Sequence, residues 1–368
     1  MRFNAFPFYV KLACVLISIL LLGLLAVLGY TLLAPLIFGF LCAILLLPLA
    51  NFLEYQWKFP RALSALLSLI TLILIIGSVF TLLGSQLTSL AADWPAFKKQ
   101  VLESAANLQV WISTTFHVNN NAQIAYIHNA AAKSISTGTT LLSKTLVSLS
   151  SLFLLSLFSF LYTFFILYHR RLIVRFLICC FDEKHSPVVY EIVHHIQYII
   201  KRYIVGLFLQ MMLVSLLACT AFYFIGVKYS FLLGLITGIF NIIPYIGILT
   251  ALLLAVIITF ATSTATDVVL VVVCMAVIHM VDGNYIMPKI VGSKVQINTL
   301  IALIGLVLGE MIWGITGMFL SIPIIAIMKV VFDRIPELKP WGMLLGEDNP
   351  PPKVIKLKKK VNKKAPLP

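Results

Sequence analysis

The chain has 368 residues, of which 61% are hydrophobic and only 11% are charged. A soluble domain is roughly 45–50% apolar and about 25% charged, so this composition excludes an ordinary water-soluble enzyme and a disordered chain. Lys and Arg number 27 against 13 Asp and Glu, which gives a net charge of +14. In a membrane protein such an excess reflects the orientation of the loops, so nucleic-acid binding is not predicted. The predicted fold class is all-α, a polytopic integral membrane protein with about eight membrane-embedded helical segments.

Residues 1–85 form the first predicted domain, a set of N-terminal transmembrane helices. Apolar stretches at 12–30, 32–51 and 63–83 each reach the roughly 20 residues that a membrane-spanning helix needs. Glu54, Lys58 and Arg61 mark an aqueous turn between the second and third stretches.

Residues 86–145 differ in kind and predict an extracytoplasmic amphipathic helical arm. Leu87, Trp94, Val101 and Leu108 recur at heptad spacing among charged residues, which indicates an apolar stripe on a helix. The stripe packs either on the protein's own spans or on another subunit, and heptad spacing alone does not separate these alternatives. A homo-oligomer is one of the partners that the sequence predicts.

Residues 146–202 predict a fourth span and a cytoplasmic amphipathic helix, and residues 336–368 predict a disordered polybasic tail. Lys and Arg are concentrated between Arg170 and Arg202 and again in the tail. Because positively charged loops stay in the cytoplasm, both termini are predicted to be cytoplasmic. The lysines of the tail are predicted to bind anionic membrane lipids.

Residues 203–335 predict a C-terminal transport core with two broken helices. The stretch 231–260 is too long for one plain span, and its middle reads Asn241-Ile-Ile-Pro244-Tyr245-Ile-Gly247. Proline removes a backbone donor, and backbone groups freed inside a bilayer must be buried in protein or line a watery cavity. Broken helices of this kind form binding sites in secondary transporters. Asn241, Pro244, Tyr245 and Gly247 are therefore predicted to bind a substrate or an ion.

The next polar segment adds four candidates for the same site. His279 and Asp282 are three residues apart and are predicted to share one helical face. Asn284 and Pro288 lie in the turn-rich stretch that runs from Asp282 to Gly292.

The second over-long stretch, 299–332, contains the isolated carboxyl group of Glu310. An ionisable group at membrane depth usually faces a cavity or a partner, so Glu310 is predicted to bind the substrate or a coupling ion. Gly309, Gly314 and Gly317 surround it and are hinge candidates.

Two topologies remain open for the core. Ordinary spans at 231–260 and 299–332 would place Lys289 and Lys294 outside, whereas two re-entrant hairpins would place them inside. The lysine bias and the paired breaks favour the hairpins.

The motifs resemble those of the bacterial autoinducer-2 exporter (AI-2E) family of membrane permeases. The resemblance is carried by the break at 241–247, by Asp282-Gly-Asn-Tyr-Ile-Met-Pro-Lys-Ile-Val-Gly292, and by the glycine-rich run from Gly309 to Pro323. It implies a bacterial inner-membrane permease that exports the small polar signal autoinducer-2. The chain is also similar to members associated with Na⁺(Li⁺)/H⁺ antiport.

Three functions follow as hypotheses. The first is an ion-coupled secondary transporter that exports a small polar solute such as autoinducer-2. The second is a Na⁺(Li⁺)/H⁺ antiporter that binds a monovalent cation at the same carboxylates. The third is a non-transporting scaffold assembled through the arm. No cofactor or metal site is predicted, and no catalytic motif indicates an enzyme.

Overall fold

The computed structural model describes residues 7–92, 153–243, 246–292 and 297–346, which are helical almost throughout. The helices are α1 (Phe8–Leu28), α2 (Tyr30–Tyr55), α3 (Arg61–Ala92), α4 (Phe153–Tyr168), α5 (Arg170–Cys179), α6 (Ser186–Ile225), α7 (Ser230–Phe240), α8 (Ile246–Thr262), α9 (Ala265–Val281), α10 (Thr299–Arg334) and α11 (Lys339–Leu345). Two π-helical turns, Asp282–Ile286 and Pro288–Gly292, follow α9. The all-helical class predicted from composition is confirmed.

Five of the described helices are long and apolar enough to cross a bilayer by length and composition. Their outer surfaces carry large apolar side chains such as Phe224, which is 81% exposed. Surfaces of this kind suit lipid rather than water, so the chain is a multi-pass membrane protein. The helix α3 continues to Ala92, and most of the predicted arm at 86–145 lies outside the described residues.

The helix α6 is central to the packing. It is 40 residues long, or about 60 Å at 1.5 Å per residue. Its first half packs on α2 and α10 through Ile200, Tyr203 and Leu320, and its second half packs on α7, α8 and α9 around Phe222. A further cluster joins α2, α3 and α4 around Leu167. One end of the bundle holds the C-terminal end of α2 and the N-terminal ends of α3 and α6. We call this end of the bundle the Arg170 side.

The first predicted break is present, and it forms a helical hairpin from α7 and α8. α7 ends at Phe240 after 11 residues, about 16 Å, which is too short to cross a hydrocarbon core of about 30 Å. α7 runs back along α6, because Gly234 faces Cys219 while Gly238 faces Ser215. α8 then returns beside α7. The hairpin therefore enters from the side opposite the Arg170 side, and its tip lies alongside the middle of α6.

The second predicted break is also present, inside α10. Trp313 and Gly314 have non-helical backbone angles, and Gly314 has φ 60° and ψ −141°. Gly305 lies against Ile325, although these residues would be about 30 Å apart in a straight helix. The chain therefore doubles back at Trp313–Gly314, and α10 is a hairpin with arms at 299–312 and 315–334.

The two ends of this second hairpin meet. The N–H of Asn298, just before α10, donates to the carbonyl of Leu345 at 3.0 Å, and Ile297 pairs with Gly346. Arg334 forms an ion pair with Glu191 near the start of α6. Both ends thus lie on the Arg170 side. At the opposite end, the tip residue Trp313 donates its indole N–H to the carbonyl of Ala26 at 2.9 Å.

Candidate functional site

A buried carboxylate lies where the tip of the first hairpin meets α6 and the end of α9. Asp282 is only 4% exposed. Gln210 Nε2 donates to both of its carboxylate oxygens, at 2.9 and 3.0 Å, and Asn241 Nδ2 donates to Oδ2 at 3.0 Å. Gln210 and Asn241 are themselves 6% and 9% exposed. We call these three residues the Asp282 cluster.

Three separate elements bring the cluster together. Gln210 lies within the apolar half of α6, and Asn241 follows directly after α7. Gly234 and Gly238 let α7 approach α6 closely, because a Cβ at either position would overlap the facing backbone or side chain. Small residues permit such close contact between membrane helices. This close packing of α7 on α6 places Asn241 near Gln210, so that both side chains reach Asp282.

The winding of the chain changes at Asp282 itself. The N–H of Met287 donates to the carbonyl of Asp282, five residues earlier, so the helix widens into a π-helix. The stretch after Asp282, predicted to be turn-rich, therefore stays helical through Gly292 with π-helical winding. Pro288 lacks an N–H and cannot continue an α-helical ladder. π-helical turns are rare and often occur at functional sites.

The charge of Asp282 is not balanced by the residues around it. Among the described residues, no Lys, Arg or His lies within salt-bridge distance of its carboxylate, and its partners are neutral amides. Burying a charge without an opposite charge beside it is costly, and here hydrogen bonds from two amides offset part of that cost. The carboxylate and the two amide oxygens are hard ligands suited to a small cation. In the described segments no three His, Cys, Asp or Glu side chains lie together as a metal-ligand group.

The structure brings only some of the predicted site residues to the cluster. Asn241 and Asp282 belong to it. Gly247 lies at the base of the tip, where a Cβ would overlap the carbonyl of Phe240, so glycine is needed to close the turn. Pro244 and Tyr245, which share this predicted break, lie outside the described residues.

The other candidates near Asp282 face away from it. His279 is exposed, and no hydrogen bond joins its side chain to Asp282 in the described part of the chain. Asn284 is exposed and donates to the carbonyl of Met280 at 2.8 Å, one helical turn earlier. Pro288 is exposed at the start of the second π-helical turn. His279 and Asp282 do not share one face, because Asp282, just after α9, continues the buried face that carries Met275 and Ile278 while His279 is exposed.

The candidates in α10 lie around the tip of the second hairpin. Glu310 is exposed, four residues before Gly314. Gly314 has the positive φ of the break itself. Gly309 and Gly317 lie against each other on the two arms, where a Cβ on either would overlap the carbonyl of the other. Close packing therefore accounts for this glycine pair, and a hinge function remains a prediction.

The sequence analysis missed Gln210, although a signal for it existed. It is the one Asn or Gln side chain in the apolar stretch 203–225, and polar groups inside membrane spans usually find polar partners. The identity of that partner depends on packing between helices that are distant in sequence.

Two helical hairpins and a buried polar cluster define a multi-pass membrane protein with polar side chains in its interior. Residues 15–337 match the family described as AI-2E family transporter. The chain therefore belongs to the AI-2E transporter family, and the resemblance drawn from the motifs is confirmed.

Individual relatives agree with this assignment. The chain is 23% identical to the AI-2 transport protein TqsA of Escherichia coli strain K12, over 86% of this chain and 89% of that protein. It is 33% identical to YrrI of Bacillus subtilis over 35% of this chain, and 29% identical to a protein of Methanothermobacter thermautotrophicus over 44% of this chain. These two matches span 36% and 49% of those proteins' lengths.

Proposed function

We propose that this member of the AI-2E transporter family is an ion-coupled secondary transporter whose coupling site is the Asp282 cluster. The observation that carries the proposal is a carboxylate that is 4% exposed and bonded only to neutral amides. Ionisable groups placed in this way inside membrane proteins are expensive and usually serve transport.

The cluster has a simple way to exchange its ligand. In the structure, the two amide nitrogens face the carboxylate. Rotating the terminal amides of Gln210 and Asn241 by half a turn presents their oxygens instead. A monovalent cation would then have ligand oxygens from all three side chains. A proton on Asp282 would neutralise the same charge, so the two ions would compete for one site.

The helical hairpins suggest how access could alternate. The tip of α7–α8 approaches the cluster from one side of the bundle, and the α10 hairpin enters from the other side. Broken membrane helices of this kind are typical of secondary transporters. Movement of one hairpin would open the cluster to one side at a time.

The transported solute is proposed to be small and polar, with autoinducer-2 as the first candidate because the relative TqsA is named an AI-2 transport protein. Export through a bacterial inner membrane, with both termini cytoplasmic, is proposed from the distribution of Lys and Arg. A second function, Na⁺(Li⁺)/H⁺ antiport, is favoured by the same cluster because carboxylate and amide oxygens suit these cations.

Flux through the purified protein in liposomes tests the proposal, with autoinducer-2, Na⁺ and proton gradients imposed separately. Asp282→Asn should abolish ion-coupled flux while the protein stays folded. The matched control is Asp267→Asn at the other end of α9, where Asp267 forms a capping box with Thr264. It should cost less than about 1 kcal/mol of stability, because Asn keeps an oxygen that can accept the capping hydrogen bond, and it should keep flux. Normal coupled flux in Asp282→Asn would refute the proposed role of the cluster.

A further inference from the structure

A basic cleft lies on the Arg170 side, far from the Asp282 cluster, where α4 ends and α5 turns away. The two helices meet at His169 with a bend of 71°. The cleft has a volume of about 480 Å³, and its lining includes Arg61, His169 and Arg171 beside apolar side chains such as Leu172. It lies between the start of α3 and the start of α5.

Among the described residues, the charges in this corner are not balanced. Glu54 forms ion pairs with Arg61, Arg170 and Arg171, so three guanidinium groups share one carboxylate. The side chains of Glu54 and Arg170 are 11% and 15% exposed, whereas those of Arg61 and Arg171 are 45% and 50% exposed. The inner pair is enclosed, and the outer two cations border the cleft with donors left for another anion.

The residues around the cleft fit a position at the level of lipid headgroups. Exposed aromatic side chains surround it, including Tyr55, Trp57 and Tyr168, and such side chains concentrate at membrane interfaces. The helix α5 has no buried side chain, and its Leu172 and Phe176 are 62% and 63% exposed. A short basic helix that turns sharply from a span and exposes apolar side chains fits a position in the interface plane.

We propose that the cleft binds the phosphate of an anionic phospholipid, with Arg61 and Arg171 as its ligands. Guanidinium groups bind phosphate in a bidentate manner. Basic pockets between membrane helices are suited to anionic headgroups. Leu172 at the cleft and Phe176 one turn further would contact the acyl chains. This site differs from the lysine-rich tail, whose attraction to lipid would be diffuse.

Native mass spectrometry of the full chain in detergent tests the site, with phosphatidylglycerol as the probe. Arg61→Gln with Arg171→Gln should weaken its binding at least about tenfold, since each basic group near an anionic surface contributes substantially. The matched control, Arg175→Gln with Arg202→Gln, removes the same charge from residues that do not line the cleft. It should stay within about twofold of the unmodified chain. Equal weakening in both variants would overturn the proposal, because it would indicate diffuse attraction.

A second variant covers the case in which the arginine substitutions unfold the corner. Ala62 is an exposed lining residue, and Ala62→Glu places a negative charge in the cleft while keeping Glu54 and all three arginines. It should weaken phosphatidylglycerol binding strongly, whereas the neutral Ala62→Gln should weaken it little. Similar binding by both variants would contradict the site.

Two further probes identify the source of the phosphate. Phosphatidylcholine, whose phosphate is balanced by a cation, should bind more weakly than phosphatidylglycerol. Soluble glycerol 1-phosphate should fail to displace the lipid at comparable concentration. Displacement by glycerol phosphate would assign the cleft to a soluble phosphate compound and overturn the lipid proposal.

Discussion

Gly309 and Gly317 lie back to back on the two arms of the second hairpin, so closely that neither position has room for a Cβ. In a continuous helix these residues would be about 12 Å apart along the axis. Their contact shows that an apolar stretch of 36 residues, long enough to be taken for a single span, folds back on itself.

Gly317→Ala should destabilise the protein by about 1–3 kcal/mol, because the new methyl group would overlap the Gly309 carbonyl and force the arms apart. Thermal unfolding in detergent measures the change. Gly77→Ala in α3 is the matched control, since a Cβ there meets nothing within 4 Å. The control should be neutral or slightly stabilising. Equal stability of the two variants would argue against tight packing of the arms.

Trp313→Phe should loosen the tip of the second hairpin. The substitution keeps an aromatic ring beside Tyr30 but removes the indole N–H that donates to Ala26. A hydrogen bond of this kind contributes about 0.5–1.5 kcal/mol. Hydrogen exchange of the backbone amides near 309–317 should therefore become faster. Trp341→Phe, at an exposed position on α11, should leave this exchange unchanged, and a comparable effect there would contradict the prediction.

Gln210→Leu should impair both stability and coupled flux, because it removes one of the two amide partners of a buried carboxylate. Hydrogen bonds to charged groups contribute about 1.5–3 kcal/mol. Gln197→Leu, on the same helix but outside the cluster, is the control. Combining Gln210→Leu with Asp282→Asn should cost less stability than the sum of the single changes. Strict additivity would indicate that the two side chains do not act together.

Glu310→Gln separates the two candidate coupling carboxylates. Glu310 is exposed at the second hairpin tip and forms no ion pair with the described residues. We expect the Glu310→Gln variant to retain most of the flux of the unmodified protein in liposomes. The reason is that the carboxylate of Glu310 is exposed, so the substitution removes no buried charge. The reverse pattern, loss in Glu310→Gln and normal flux in Asp282→Asn, would transfer the coupling role to Glu310.

Local features of the sequence predicted both helix breaks and favoured hairpins over ordinary spans without deciding between them. Apolar stretches longer than one bilayer crossing, interrupted by Pro, Asn or Gly, indicate a broken helix because backbone hydrogen bonding fails there in any context. The sequence did not determine from which side of the bundle each hairpin enters. It follows from contacts such as Gly238 with Ser215 and Asn298 with Leu345.

The candidate site residues likewise divide into those that the sequence predicted and those that only helix packing determines. Asn241 and Asp282 were predicted because polar groups are expensive in lipid wherever they lie. His279 was predicted beside Asp282 from spacing alone, yet packing of α9 directs His279 outward and Asp282 inward. A spacing of three residues brings side chains near one face but does not decide which of them meets the protein interior.

The sequence by itself determined that this chain is a helical membrane protein with two interrupted helices, since hydropathy and the backbone chemistry of Pro and Gly are local properties. Only the tertiary structure decided that Gln210 holds Asp282 and that three arginines share Glu54. Those partnerships join residues 72 and up to 117 positions apart, and they arise from the way whole helices pack.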